Sequence, residues 1–175
     1  MSLSTIGIIG AIVLLLGAAY PIRSCSHPAK SAKNWLFASG NAGMMTYAWM
    51  SYLAGGHIFF VFLELLVVLS TIMMLVDVRD EIDTWVMSLS GVVLVIWSLK
   101  LFEDLSTIYF VLGLVSLSLG FALQMGTFRR NLALTIGSLL IALFSYFAAD
   151  WIFFWLNSFF AVFSGYYAVK LRNKD

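Results

Sequence analysis

A few polar side chains lie inside long apolar stretches of this sequence, and their types could do chemistry. Glu64 is the only ionisable residue well inside such a stretch, and Asn41 and Asn157 place amides inside two others. A polar group buried away from water is costly, so each of these residues invites a functional hypothesis. Carboxylates and amides bind cations and hydroxyl groups, and the indole of Trp155, two residues before Asn157, can stack on a ring-shaped solute.

Each of these residues also has a structural interpretation. Glu64 either binds a cation or couples to protons, or it holds its proton and makes an interhelical hydrogen bond, or it lies at the surface. Asn41 lies in the glycine-rich stretch Ser39–Gly43 and either lines a cavity or makes an interhelical bond. Trp155 either stacks on a solute or packs against a neighbouring helix.

The composition indicates that lipid surrounds the elements that carry these residues. The chain is 62% hydrophobic and 11% charged, with a mean hydropathy of +0.97, whereas a soluble domain carries about 25% charged residues. The apolar runs lack period-2 alternation and are roughly 20 residues long, the length of a membrane-spanning helix. The net charge of +1 offers no nucleic-acid footprint, and the lone Cys25 cannot form an internal disulfide.

The apolar runs predict seven membrane-spanning helices with the N-terminus outside and the C-terminus in the cytoplasm. Nine of the ten Lys and Arg residues fall on one face with this count, and only Lys100 falls on the other. Such an excess of basic residues marks the cytoplasmic face. The predicted spans are Ser4–Ile22, Trp35–Ala54, His57–Val76, Thr84–Leu99, Leu105–Met125, Leu132–Ala149 and Trp151–Val169.

A ten-residue segment of the chain occurs nearly twice. The segment that begins at Ser51 returns at Ser145, shifted by 94 positions, with six of the ten residues identical. Both copies lie at tight junctions, so spans two and three, and spans six and seven, are predicted to form antiparallel hairpins. The first helix of each half repeats with a shift of 103, and we ascribe the difference of nine to a longer first connection.

The repeat divides the chain into three spans, one span and three spans. We predict a first three-helix repeat at residues 1–80, a linker helix at 81–103 and a second three-helix repeat at 104–175. Because the linker crosses the membrane once, the two repeats are parallel. Two glycines seven residues apart occur in the first span of each repeat, where small residues allow helices to pack closely. They are Gly10 and Gly17, and Gly113 and Gly120.

This arrangement resembles the SWEET and PQ-loop superfamily, which includes the single-repeat SemiSWEETs. The PQ-loop signature is Pro-Gln at the end of the first helix of a repeat, followed by a short basic loop with Lys-Ser. Tyr20-Pro21 ends the first helix here, Lys30-Ser31 follows, and Leu123-Gln124 occupies the matching place in the second repeat. The resemblance implies that Asn157 faces a central cavity and binds substrate. Pro21 would break a helical hydrogen bond and act as a hinge.

The sequence therefore predicts a small-solute transporter of a bacterial inner membrane, working by alternating access between two repeats. The solute would be sugar-like or nucleoside-like, with Asn157, Glu64, Asn41 and Trp155 as binding residues. The alternative is a non-transporting membrane module that binds lipid or a protein partner. No catalytic motif, metal cluster or cofactor signature is present in the sequence, so we expect neither an enzyme nor a cofactor. Membrane lipid is the expected partner, and the sequence is compatible with a homo-oligomer.

Overall fold

The computed structural model of this protein describes residues 2–20 and 27–172, which contain helices and no strand. A short 3-10 helix, Pro28–Lys30, precedes the second of seven α-helices. Each predicted span falls on one of these helices, with ends that differ by a few residues. The helices are α1 (Leu3–Ala19), α2 (Ala32–Leu53), α3 (Phe59–Val76), α4 (Asp80–Lys100), α5 (Ser106–Ala122), α6 (Phe128–Phe147) and α7 (Trp151–Arg172).

Side-chain caps explain where several of the helices begin. The Ser2 hydroxyl accepts the Thr5 N–H at 3.3 Å at the start of α1, and the Thr127 hydroxyl accepts the Arg130 N–H at 3.3 Å at the start of α6. The Asp150 carboxylate accepts two backbone N–H groups at the start of α7, at 3.1 and 3.2 Å. These bonds satisfy donors that have no partner within the helix.

Four of the helices are long and apolar enough to cross a membrane: α3, α4, α6 and α7. α1 and α5 are apolar but only 17 residues long, or about 25 Å at 1.5 Å per residue. α2 is 22 residues long but less apolar, because serine, asparagine and glycine interrupt its middle. The chain is consistent with an integral membrane protein.

The chain folds as two compact units, residues 1–79 and residues 80–175. In the first unit α2 packs against both α1 and α3, while α1 and α3 do not pack on each other within the described residues. In the second unit each helix packs on the next, from α4 to α7. The fourth helix therefore belongs to the same unit as the three helices that follow it.

The first copy of the repeated segment forms the turn between α2 and α3. The Gly56 N–H donates to the Ser51 carbonyl at 2.9 Å, and the Gly55 N–H donates to the Tyr52 carbonyl at 3.0 Å. This pair of bonds is the Schellman arrangement that ends many helices. This arrangement requires a left-handed backbone conformation at the residue that donates to Tyr52. That residue is Gly55, which has a φ of 95°. Glycine adopts this conformation without steric cost.

The second copy forms the same turn between α6 and α7. The Asp150 N–H donates to the Ser145 carbonyl at 3.0 Å, and the Ala149 N–H donates to the Tyr146 carbonyl at 3.1 Å. Ala149 takes the place of the glycine, with a φ of 54°. Both bonds match those of the first copy under a shift of 94. The prediction of two tight helix–turn–helix connections is confirmed.

Glycines bring α1 and α2 into close contact in the first unit. A Cβ on Gly40 would lie 2.7 Å from the backbone nitrogen of Leu14, and a Cβ on Gly10 would lie 3.3 Å from the Gly40 carbonyl oxygen. A Cβ on Gly17 would come within 3.2 Å of α2. Close helix approach in lipid depends on small residues of this kind. The predicted packing role of Gly10 and Gly17 is confirmed.

The same contacts recur between α5 and α6 in the second unit. A Cβ on Gly137 would lie 2.9 Å from the Leu117 nitrogen, and a Cβ on Gly113 would lie 3.2 Å from the Gly137 carbonyl oxygen. A Cβ on Gly120 would lie 3.2 Å from the backbone nitrogen of Leu134 in α6. The two helix pairs are therefore built on corresponding residues.

The correspondences correct our explanation for the difference of nine residues between the shifts. The longer connection between α1 and α2 accounts for six of the nine residues. The remaining three arise because α1 contacts α2 three residues farther from the following turn than α5 contacts α6. Three residues are nearly one helical turn, so the same face stays in contact. The shift is 103 from Leu14 to Leu117, 97 from Gly40 to Gly137 and 94 from Ser51 to Ser145.

Candidate functional site

Glu64 lies in α3 and is 3% exposed. It is the sixth residue of the helix, about 7.5 Å along the axis from Phe59. Its Oε2 atom is buried and has no hydrogen-bond partner among the described residues. A buried carboxyl oxygen without a donor is unfavourable, and a protein keeps such a group only where it has a use or a compensating contact.

Asn41 lies in α2, is 1% exposed, and contacts α3 directly. Its amide nitrogen donates to the Thr71 hydroxyl at 2.5 Å, and this hydroxyl donates its own proton to the Val67 carbonyl at 2.9 Å. A hydroxyl has a single proton, so Thr71 can only accept from Asn41, which fixes the orientation of the amide. The Asn41 Oδ1 atom is left buried and without a donor among the described residues.

The two unpartnered oxygens lie at different levels of the same helix hairpin. Glu64 and Thr71 are seven residues apart, so they share a face of α3 and lie about 10 Å apart along its axis. Asn41 and Thr71 are equally far from Gly56 in the turn, as are Ala48 and Glu64. The antiparallel register therefore places the small, fully buried Ala48 at the level of the carboxylate.

Asn157 and Trp155 lie in the second unit and occupy different sides of α7. Asn157 is 7% exposed, and its amide nitrogen donates to the Phe153 carbonyl at 2.9 Å in its own helix. Trp155 is 57% exposed and its ring contacts Phe154 and Phe159. Two residues along a helix correspond to a rotation of about 200°, so the indole and the amide point apart.

The two units differ at the positions that correspond under the shift of 94. Asn157 corresponds to Leu63, and Ser158 corresponds to Glu64. The Ser158 hydroxyl donates to the Phe154 carbonyl at 2.8 Å, so it is satisfied within its own helix. The carboxylate in the first unit has no such local bond for its Oε2 atom. The two units therefore differ at these corresponding positions, and the unpartnered Glu64 Oε2 and Asn41 Oδ1 atoms both belong to the first unit.

The structure brings some of the predicted residues together and leaves others apart. Asn41 and Glu64 lie on the facing sides of one hairpin, whereas Asn157 and Trp155 lie in the other unit. The hinge assigned to Pro21 falls outside the described residues. No group of three His, Cys, Asp or Glu side chains in the described ranges could hold a metal ion. The substrate role of each predicted residue stays a prediction.

Sequence reasoning missed Thr71, the partner of Asn41, although a signal for it was present. In a hairpin with a tight turn, residues equally far from the turn lie opposite one another. Fifteen residues separate Gly56 from Asn41 on one side and from Thr71 on the other. The turn was recognised, but this count was not applied to the polar residues.

A second missed signal is a basic residue followed by asparagine at the start of α2 and of α6. Lys33-Asn34 corresponds to Arg130-Asn131 under the shift of 97. The Arg130 guanidinium donates to the Leu123 carbonyl at 2.8 Å, at the end of α5, and it also interacts electrostatically with Asp83 of α4. These contacts connect three helices at one end of the second unit.

Ser118 is a third buried polar residue that sequence reasoning did not single out. It lies on α5 against Gly91 of α4, and its hydroxyl has no hydrogen-bond partner among the described residues. A Cβ at Gly91 would overlap this hydroxyl. The glycine therefore explains why α4 can pack on α5 at this point.

Comparison of the chain with protein-family models, with curated proteins and with solved structures finds no match.

Proposed function

We propose that this chain is a membrane transporter that moves a small polar solute by alternating access between two three-helix repeats. The observation that carries the proposal is the duplicated structure of the two helix pairs and their turns. Leu14 and Gly40 correspond to Leu117 and Gly137 in the helix contacts. Two similar halves can exchange roles about a site between them, which is why internal repeats are common in transporters.

The proposed arrangement is three helices, a linker helix and three helices. The linker, α4, would bring the second repeat into the membrane with the same orientation as the first. The distribution of Lys and Arg supports an external N-terminus and a cytoplasmic C-terminus. The resemblance to the SWEET and PQ-loop superfamily is part of this proposal, as is placement in a bacterial inner membrane.

The buried oxygens of the first unit support a polar solute. Glu64 Oε2 and Asn41 Oδ1 both lack a donor within the described residues. A solute that presents hydrogen-bond donors would satisfy both atoms and offset the cost of burying them. Sugars and nucleosides carry several such donors. Asn157 would bind the solute through its amide oxygen, because its amide nitrogen donates to the Phe153 carbonyl.

Purified protein in liposomes tests the proposal. We expect a labelled sugar, nucleoside or amine to equilibrate across liposomes that contain the protein faster than across empty liposomes. Asn41→Leu should slow this exchange at least about tenfold, the effect of losing one well-placed polar contact. Ser158→Ala is the matched control, since the Ser158 hydroxyl donates to the Phe154 carbonyl of its own helix. No exchange of any solute by folded protein would contradict transport.

A non-transporting module that binds lipid or a protein partner is the second candidate. The observation that favours it is the surface of α4, whose apolar window is only 17% buried. Trp85 and Trp97 are 76% and 53% exposed on this helix. Such a face would suit lipid or another membrane helix. Specific retention of one lipid or protein through purification, without solute exchange in liposomes, would favour this candidate.

A further inference from the structure

The unpartnered oxygens of the first unit have a common chemistry. We infer that this unit binds an elongated, positively charged amine, with the ammonium group at Glu64 and a second hydrogen-bond donor at Asn41. The inference rests on the proposed function, because it names the class of solute that the first repeat would bind. It depends on the contacts of α2 and α3 alone.

Both atoms call for a donor from the ligand. When Glu64 is ionised, its Oε2 atom and Asn41 Oδ1 are both acceptors, and both are buried without a hydrogen bond among the described residues. Thr71 cannot serve either of them, because its only proton goes to the Val67 carbonyl. A molecule that presents acceptors alone would leave both oxygens unsatisfied.

The described residues inside this hairpin supply no positive charge to Glu64. The segments 35–53 and 59–76 of α2 and α3 contain no Lys, Arg or His, and Glu64 is their only acidic residue. The described basic residues of this unit, including Lys33 and Arg79, lie at helix ends or in connections. A buried carboxylate without a cation is costly, and an ammonium group placed beside it forms a charge-assisted hydrogen bond.

The separation of the two oxygens favours an elongated molecule over a metal ion. Their levels on the hairpin differ by about 10 Å, and a calcium ion needs six or more oxygens within about 2.6 Å. One ion therefore cannot contact both groups. Val67 and Val68 lie three or four residues from both Glu64 and Thr71 on α3, and their apolar side chains suit a chain of methylene groups.

Calorimetric titration of the full chain in detergent tests the inference with three linear solutes of equal length. Diaminooctane, aminooctanol and octanediol carry an ammonium group at both ends, at one end and at neither end. We expect affinity to fall in that order. Glu64→Gln should weaken binding of diaminooctane at least about tenfold, as for the loss of one charge-assisted contact, and should leave octanediol unchanged. Ser158→Ala, at the corresponding position of the second unit, should bind all three solutes as the wild-type protein does.

Thermal unfolding of each variant verifies that it is folded before titration. Equal affinity for the three solutes, or wild-type binding of diaminooctane by folded Glu64→Gln, would overturn the inference. If Glu64→Gln does not fold, Asn41→Ser is tested in its place. We expect Asn41→Ser to weaken the binding of both diaminooctane and aminooctanol. Unchanged binding of these two solutes would overturn the inference.

Liposome exchange separates this inference from the proposed function. Binding of diaminooctane in the expected order, with no movement of any solute across the membrane, would support the amine site and contradict transport. Movement of a sugar or nucleoside without any binding of amines would support transport and overturn the amine site.

Discussion

At the scale of single residues, the most informative feature is a carboxylate that the surrounding helices do not satisfy. Glu64 is buried, and its Oε2 atom has no donor among the described residues. A residue selected only for packing would be apolar here, as Leu63 and Leu66 are beside it. Functional residues often cost stability in the empty protein, and this cost can be measured.

We expect Glu64→Leu to raise the free energy of unfolding by about 1 kcal/mol or more, because a buried oxygen without a donor is replaced by an apolar group of similar size. Unfolding in detergent, followed by circular dichroism, measures the change. Asn41→Leu is the contrasting variant, since it removes the bond to Thr71 and should lower stability. A loss of stability in Glu64→Leu would show that the carboxylate holds the helices together.

Substitutions at the two turns are predicted to change the stability of the protein in opposite directions. Ala149 has a φ of 54° and Gly55 a φ of 95°, at corresponding positions. The left-handed conformation costs a residue with a Cβ about 1 kcal/mol. We therefore expect Ala149→Gly to stabilise the protein by about 1 kcal/mol and Gly55→Ala to destabilise it by a similar amount. Denaturant midpoints compare the two variants, and equal shifts of the same sign would refute the shared turn.

At the scale of helices, the sequence predicted the elements well and their contacts only in part. Long apolar runs and glycine-rich junctions are local signals, so the seven helices and both tight turns could be predicted. The contact between Asn41 and Thr71 depends on hairpin register, which local patterns do not state. The outward position of Trp155 depends on which face of α7 packs on α6, and its proximity to Asn157 in sequence gave no guide to that.

The glycine contacts give a prediction at the same scale. Gly40→Ala should destabilise the protein by about 1–3 kcal/mol, because its Cβ would lie 2.7 Å from the Leu14 backbone and the helices must move apart. Gly165→Ala is the matched control, with ordinary contacts of 3.6 Å or more to Thr135. It should be neutral or slightly stabilising, since alanine is the better helix former. Equal destabilisation by both variants in thermal unfolding would refute the close α1–α2 contact.

At the scale of the whole molecule, the repeat is better preserved in backbone contacts than in polar chemistry. The turns and the glycine contacts recur, whereas Glu64 corresponds to Ser158 and Leu63 to Asn157. A duplicated framework with different polar residues in each half is what a transporter of an asymmetric solute would need.

The orientation of the chain can be tested with two exposed positions at opposite predicted faces. Ala54 lies at the turn after α2, and Gln124 lies in the connection between α5 and α6. After replacement of Cys25 by serine, we expect Ala54→Cys to react with a membrane-impermeant maleimide in intact spheroplasts. Gln124→Cys should react only after the membrane is permeabilised, because the basic residues that follow it favour the cytoplasmic side.

Labelling of both positions in intact spheroplasts would mean that an even number of membrane crossings separates Ala54 from Gln124. In the proposed arrangement three crossings separate these two positions. The two halves would then enter the membrane with opposite orientations, and a transporter with parallel repeats would be excluded.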